Sequence, residues 1–114
     1  MGIILKMTPA FEKKAGKLLT SETLEALLDY LEENPEKGDI IKGTGGVRKL
    51  RWETGKNNKG KSGGIRVLYH YSKNILVLLI TLYGKSEQDS ISQSDKNELR
   101  KIVPQLVDKY KEGL

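Results

Sequence analysis

The 114-residue chain has no cysteine and only one histidine. The absence of cysteine excludes disulfides and thiolate chemistry and favours a cytoplasmic location. One histidine without cysteine argues against a transition-metal site. No run of about 18 apolar residues could form a transmembrane helix, and the N-terminal residues lack the small-residue cleavage site of a signal peptide. We therefore expect no cofactor and no contact with a membrane.

The chain also lacks any linker or internal repeat that would divide it. Its 114 residues can enclose a single modest hydrophobic core. We therefore expect one domain over residues 1–114.

Positive charge is concentrated in one segment. Residues 42–66 contain eight basic residues and one acidic residue, Glu53, whereas the rest of the chain has 12 basic and 14 acidic residues. Such a concentration is typical of a protein that binds a polyanion. The alternative interpretation is a solvated, lysine-rich loop.

Hydrophobic periodicity predicts a short strand followed by two helices. Residues 3–7 have the pattern of the strand. Thr8 is the expected N-cap of the first helix, with Pro9 at its first helical position. Thr20 or Ser21 begins the second helix, whose leucines recur at helical spacing until the Asn-Pro pair at residues 34–35.

The period of the pattern then changes to two. It predicts strands at residues 47–52, 64–71 and 74–83, with a hairpin turn between the last two. A final helix begins at Ser92 or Ser94, and Pro104 predicts a kink or a break within it. The order of elements predicts a compact α+β fold whose helices lie against one face of a largely antiparallel sheet.

Residues 55–62, GKNNKGKS, match the phosphate-loop pattern G-x-x-x-x-G-K-[ST] at every fixed position. A working phosphate loop joins a strand to a helix, whereas the residues after this match, IRVLYHY, alternate like a strand. A nucleotide hydrolase also needs an acidic strand end for magnesium, and the TLYGK segment has none. We interpret the match as a hairpin loop whose Lys56, Lys59 and Lys61 suit a nucleic-acid backbone.

Strand alternation predicts a cationic surface next to this loop. Lys49 and Arg51 share one face of the first strand of the trio, Tyr83 ends the third, and Lys85 follows. In an antiparallel sheet Lys49, Arg51, Arg66 and Tyr83 would converge on a surface that faces away from the helices. The alternative is that the basic residues are ordinary solvated strand residues.

A cationic surface without acids or metal ligands suits the stabilisation of charge on a phosphate. RNA supplies its own nucleophile, the 2′-OH, so a protein need only align it, assist proton transfer and provide positive charge. The lone His70 is a possible base, but a histidine between strand tyrosines is more often packed or hydrogen-bonded.

Three segments found in this order, GTGGVRK, GKSGGIRVLY and LYGKSEQD, resemble the HigB-type toxins of the RelE/ParE superfamily. The resemblance covers residues 34–92. It implies the toxin of a type II toxin–antitoxin system that cleaves mRNA on the translating 70S ribosome without a metal and leaves a 2′,3′-cyclic phosphate. It also implies a cognate antitoxin that silences the toxin.

The resemblance further implies roles for individual residues. Lys49, Arg51 and Arg66 correspond to basic residues that bind and activate the scissile phosphate, and Tyr83 and Lys85 lie where the last strand enters the active-site region. The expected surface for RNA and the ribosome comprises Arg48, Lys56, Lys59 and Lys61.

The chain departs from the RelE-like pattern at two positions. Ser86 stands where those members have an arginine, and Ser92 stands where they have a tyrosine. The general acid and base therefore cannot be assigned from the resemblance, and Tyr83, Lys85 and His70 are rival candidates.

Two other functions fit the same sequence. One is a ParE-like toxin that inhibits gyrase through protein contacts without cleaving RNA. The other is a non-catalytic RNA-binding module that would use Trp52, Tyr69 and Tyr71 to stack on bases. By alternation these aromatic side chains lie opposite the cationic face, which favours a place in the core.

Overall fold

The computed structural model of the protein describes residues 2–55, 64–72, 74–84 and 91–112. The elements in this part of the chain are β1 (Ile4–Met7), α1 (Pro9–Leu18), α2 (Ser21–Glu33), β2 (Asp39–Ile40), β3 (Val47–Trp52), β4 (Ile65–Ser72), β5 (Leu76–Gly84) and α3 (Gln93–Lys111). The predicted α+β class and the predicted order of elements are confirmed. The sequence pattern missed β2, which has only two residues.

Each helix begins at a side chain that accepts a hydrogen bond from the backbone N–H three residues further along. The accepting hydroxyls belong to Thr8 (3.0 Å), Thr20 (3.2 Å) and Ser92 (3.1 Å). These bonds satisfy N–H groups that have no partner within the helix. The structure thus selects Thr20 over Ser21 and Ser92 over Ser94 as N-caps.

Helix α3 runs without a break through Pro104, contrary to one of the two outcomes predicted for that residue. A proline removes the hydrogen bond to the carbonyl four residues before it, here that of Arg100. Both Pro104 and Arg100 are exposed, so water can satisfy that carbonyl. Burial of Val103 and Val107 on the opposite side keeps the helix on the sheet.

The five strands form one sheet in the order β1-β5-β4-β3-β2. Three of its pairings are antiparallel, in agreement with the prediction of a largely antiparallel sheet. The register of β3 on β4 runs from Val47 opposite His70 to Trp52 opposite Ile65. The fourth pairing is parallel, with β1 on β5. The sheet is therefore mixed, because the chain crosses over between β1 and β5 through all the intervening elements.

The helices cover both faces of the sheet, so the prediction that they lie against one face was wrong. We call the two sides the α1/α2 face and the α3 face. The buried core on the α1/α2 face comprises Phe11, Ala15, Leu19, Leu27, Leu31, Ile65, Val67, Tyr69, Val77, Leu79 and Leu82. The buried core on the α3 face comprises Val47, Leu68, Leu76, Leu78, Ile80, Tyr83, Ile91, Leu99, Val103 and Val107. Strand β5 contributes to both cores, and a strand that is apolar on both sides needs a cover on both sides.

Candidate functional site

The registers of β3, β4 and β5 align two arginines and a tyrosine across the sheet. Arg51 lies directly opposite Arg66, and Arg66 lies directly opposite Tyr83. Directly opposed residues of antiparallel strands share a face, with their Cβ atoms about 5 Å apart. We call these three residues the arginine row. The sequence analysis predicted that these residues converge, and the register brings them together.

Lys49 lies one row further along the same face. It is opposite Leu68, which is in turn opposite Thr81. Leu68 belongs to the core that α3 covers. We expected the cationic surface to face away from the helices. It lies instead on the α3 face, where the apolar rows of the sheet are followed by charged ones.

Burial differs sharply within the arginine row. Arg66 is 5% exposed and Tyr83 is 4% exposed, whereas Arg51 is exposed to solvent. The Nη1 atom of Arg66 donates to the Gly64 carbonyl at 3.3 Å. The interpretation of Arg66 as an ordinary solvated strand residue is thus excluded, while Arg51 can reach a ligand in solution.

A cavity of about 260 Å³ lies beside Tyr83, between the end of β5 and the first turns of α3. Its lining comprises Lys14, Leu68, Thr81, Leu82, Tyr83, Ile91, Asp95, Glu98 and Leu99. Helix α3 brings two acidic residues to this cavity, Asp95 and Glu98, which the sequence analysis did not associate with Tyr83. The two residues are three positions apart, which is close to one helical turn, so they lie on the same face of the helix. This spacing was the signal in the sequence that could have placed them together.

Arg48 lies on the α1/α2 face, opposite Tyr69, although the sequence grouped it with the RNA-binding residues. Its Nη1 atom donates to the carbonyls of Glu36 (2.9 Å) and Gly38 (2.8 Å). The Tyr69 hydroxyl accepts from the Gly38 N–H at 2.8 Å and donates to the Pro35 carbonyl at 2.8 Å. Burial raises the pKa of Tyr69, so its phenol stays protonated at neutral pH and can donate to the Pro35 carbonyl. Both side chains hold the turn at residues 35–38. These contacts favour a structural role for Arg48, and the RNA-binding role predicted from the sequence is untested.

The aromatic residues considered for base stacking pack inside the protein. Trp52 donates from Nε1 to the Thr23 carbonyl at 3.0 Å, and its ring centroid is 5.3 Å from that of Tyr30. Tyr69 is fully buried, and Tyr71 packs against the same core on the α1/α2 face. This arrangement does not present the three rings as a stacking platform.

His70 lies on the α3 face but far from the arginine row. It is four residues from Arg66 along β4, a separation of about 13 Å. Its pKa is lowered, chiefly by burial and further by the charges of Arg48 and Lys111, while the backbone of Gly45 acts in the opposite direction. This histidine is therefore a neutral, packed side chain at the opposite end of the strands.

Several predicted residues lie outside the described part of the chain. They are Lys56, Lys59, Lys61, Lys85 and Ser86. The phosphate-loop interpretation can still be excluded, because the first element described after residues 55–62 is strand β4 and not a helix. Ser92, the second departure from the RelE-like pattern, serves as the N-cap of α3.

Two kinds of feature are absent from the described residues. None of their helices combines the length and apolar character needed to cross a membrane. Within the same ranges, no cluster of histidine, aspartate and glutamate side chains could hold a metal ion.

Comparison with known proteins identifies the family. The family profile described as the RelE toxin of the RelE/RelB toxin–antitoxin system matches residues 7–114. Among solved structures, a mutant of the E. coli toxin RelE in the free state is similar, with a TM-score of 0.55 and 19% identity, over 78% of this chain and 90% of that chain. At this identity the structural match shows a common fold. The family match spans almost the whole sequence, and the chain belongs to the RelE toxin family.

Proposed function

We propose that this protein is the toxin of a type II toxin–antitoxin system, of the HigB type, and that it cleaves mRNA on the translating ribosome. Family membership supports a toxin with a cognate antitoxin. The observation that carries the proposal is the direct cross-strand alignment of Arg51, Arg66 and Tyr83. Two guanidinium groups beside a phenol form a site suited to an RNA phosphate.

The arginine row binds the scissile phosphate. Guanidinium groups present paired N–H donors that match phosphate oxygens, and Arg51 is exposed where the RNA approaches. Arg66 is almost fully buried, and a charge held in a low-dielectric site interacts more strongly with developing negative charge than one in water. Lys49, in the next row, adds a third cation. Together they stabilise the pentavalent transition state.

The reaction is an attack by the 2′-OH on the neighbouring phosphorus. The new bond joins the 2′-oxygen to phosphorus, the bond from phosphorus to the 5′-oxygen breaks, and the products carry a 2′,3′-cyclic phosphate and a 5′-OH. One group takes the proton of the 2′-OH and another gives a proton to the leaving oxygen. This reaction consumes no cofactor.

Tyr83 is the member of the arginine row that can transfer a proton, and Lys85 follows it in the chain. His70 is separated from Arg66 by about 13 Å, which argues against a role in the same step. Asp95 and Glu98, which line the cavity beside Tyr83, add carboxylates that can accept a proton. We assign Tyr83 to proton transfer or alignment at the scissile bond.

Ribosomal RNA and mRNA are the polyanionic partners of the basic segment at residues 42–66. Lys56, Lys59 and Lys61 fall within this segment and would contact RNA backbone as point charges. The antitoxin silences the toxin by occupying or covering the arginine row. An acidic segment would be attracted to the row by charge.

The direct test is primer extension on a reporter mRNA in a reconstituted translation system, with and without ribosomes. Wild-type protein should cut only with ribosomes, and Arg66→Ala should cut about 100- to 1,000-fold more slowly. Lys101→Ala, an exposed position on α3, controls for the loss of one positive charge and should cut like wild type. Circular dichroism of each variant reports its folding.

Cleavage by folded Arg66→Ala at the wild-type rate would contradict the proposal. Growth arrest with intact mRNA and DNA-damage signalling would instead indicate gyrase inhibition of the ParE type. RNA binding without any cut would indicate the non-catalytic module.

A further inference from the structure

Strand β5 contains a β-bulge that changes which face its side chains point to. Leu68 is opposite Thr81, while the next residue, Tyr69, is opposite Leu79. Ile80 is therefore an extra residue in β5 with no partner on β4. In a regular strand, residues separated by an even number share a face, and a bulge shifts that alternation by one residue.

The shift decides the position of Tyr83. Leu79 belongs to the core on the α1/α2 face, and Tyr83, four residues later, would share that face in a regular strand. It lies instead on the α3 face, opposite Arg66. The arginine row therefore includes Tyr83 because of the bulge at Ile80.

Thr8 binds the bulge from both sides of the extra residue. Its backbone N–H donates to the Leu79 carbonyl at 3.1 Å, and its Oγ1 donates to the Ile80 carbonyl at 2.7 Å. Strand β1 ends at the same level, since its last pair with β5 is Met7 opposite Leu79. Thr8 is 6% exposed, so water has little access to replace its hydroxyl.

The same hydroxyl also begins helix α1. Its oxygen accepts the Phe11 N–H at 3.0 Å, and Phe11 is fully buried in the core. A threonine hydroxyl has one proton to donate and lone pairs to accept with, and Thr8 uses both capacities. The start of α1, the bulge and the direction of Tyr83 are thus connected through one side chain.

We propose that Thr8 is a positioning residue for Tyr83: by binding the Ile80 carbonyl it maintains the bulge and keeps the phenol of Tyr83 in the arginine row. Thr8 does not touch the RNA. This inference rests on the proposed function, because it assigns Thr8 a part in the same cleavage reaction.

The test compares three variants by ribosome-dependent cleavage under single-turnover conditions. Thr8→Val keeps the shape of the side chain but removes the hydroxyl, and Thr8→Ser keeps the hydroxyl. Thr20→Val is the matched control, because it removes an equivalent N-cap from α2 without touching β5. We expect Thr8→Val to lower the maximal cleavage rate about tenfold, with Thr8→Ser and Thr20→Val within about twofold of wild type.

A second comparison separates positioning from general stability. Tyr83→Phe removes only the phenolic oxygen. If Thr8 acts through this oxygen, Thr8→Val should cause no further loss of cleavage in the Tyr83→Phe background, although it should lower the melting temperature equally in both backgrounds. An equal loss of cleavage in both backgrounds would overturn the inference, and so would cleavage by Thr8→Val that equals cleavage by Thr20→Val.

Thr8→Asp serves if Thr8→Val does not fold. Its carboxylate can cap α1 but has no proton for the Ile80 carbonyl, so this variant should show the same loss of cleavage.

Arg66→Ala, measured alongside, distinguishes the role of Thr8 from the proposed function. If Arg66→Ala is inactive and Thr8→Val is unaffected, only the role of Thr8 fails. If wild-type protein does not cut, or Arg66→Ala cuts normally, the proposed function fails and the role of Thr8 fails with it.

Discussion

The two faces of the sheet are built differently. On the α1/α2 face, apolar side chains of two helices cover the strands, and the polar atoms that enter this layer are hydrogen-bonded, as the Tyr69 hydroxyl and the Trp52 Nε1 show. On the α3 face, one helix packs on a core that runs from Val47 through Leu68 to Tyr83. Beside Tyr83 the strands carry Arg66 and Arg51.

This difference indicates how a small protein divides its tasks. Burying apolar area supplies most of the stability of a fold, and none of the described buried residues on the α1/α2 face is charged. The α3 face places a nearly buried arginine next to an exposed one, and like charges in directly opposed positions repel each other. The proposed cleavage reaction places a phosphate between these arginines. In this proposal one face provides stability and the other provides the chemistry.

The largest expected effect on stability tests the first half of this comparison. Leu27→Ala, on the α1/α2 face, should lower the free energy of unfolding by about 2–5 kcal/mol, because Leu27 is fully buried and its loss leaves a void. Leu99→Ala is the matched substitution on the α3 face. Leu99 already lines a cavity, so its loss should cost less. Urea denaturation of both variants measures the difference, and a larger cost for Leu99→Ala would contradict the comparison.

Tyr69→Phe should have the next largest effect. It removes a hydroxyl that bonds both the Gly38 N–H and the Pro35 carbonyl, and an unsatisfied buried polar group costs about 1–3 kcal/mol. Cleavage per folded molecule should not change, because the tyrosine lies on the α1/α2 face. Thermal denaturation and primer extension on the same preparation check both parts. Lost cleavage with unchanged stability would assign the residue to the site.

The smallest effect concerns pH and the far end of the α3 face. Burial lowers the pKa of His70 below its ordinary value of 6.5. Between the lowered pKa and pH 6.5, the unfolded chain therefore binds a proton more readily than the folded one. The stability that the neutral imidazole provides is present above about pH 6.5 and is lost as the pH falls towards the lower, folded-state pKa. Melting temperatures measured from pH 8 to pH 5 should fall less in His70→Gln than in wild type. Identical profiles would show that His70 does not contribute.

The parts of this structure that depend on local chemistry could be predicted from the sequence. Thr8 and the other N-caps act within one helical turn, and the alternation of residues 47–52 defines β3 with its observed bounds. The face shared by Arg51 and Arg66 follows from the same alternation once their strands pair.

The remaining features depend on contacts between distant segments. The parallel pairing of β1 with β5 joins residues more than 70 positions apart, and the bulge at Ile80 is held by Thr8 from the other end of the chain. The placement of α3, with Asp95 and Glu98 beside Tyr83, depends on which face of β5 was still uncovered. No periodicity within a single element contains that information.

The central claim is that the α1/α2 face provides stability and the α3 face provides the chemistry. Its most direct test uses two arginines of β3 that point to opposite faces. Arg48 bonds carbonyls on the α1/α2 side, and Arg51 belongs to the arginine row on the α3 side. The measurement is ribosome-dependent mRNA cleavage together with melting temperature for Arg48→Ala and Arg51→Ala. We predict that Arg51→Ala loses about 100-fold in cleavage at a nearly unchanged melting temperature, whereas Arg48→Ala keeps its cleavage and melts about 4 °C lower. Full cleavage by Arg51→Ala, with cleavage lost in Arg48→Ala, would contradict the division of tasks between the two faces.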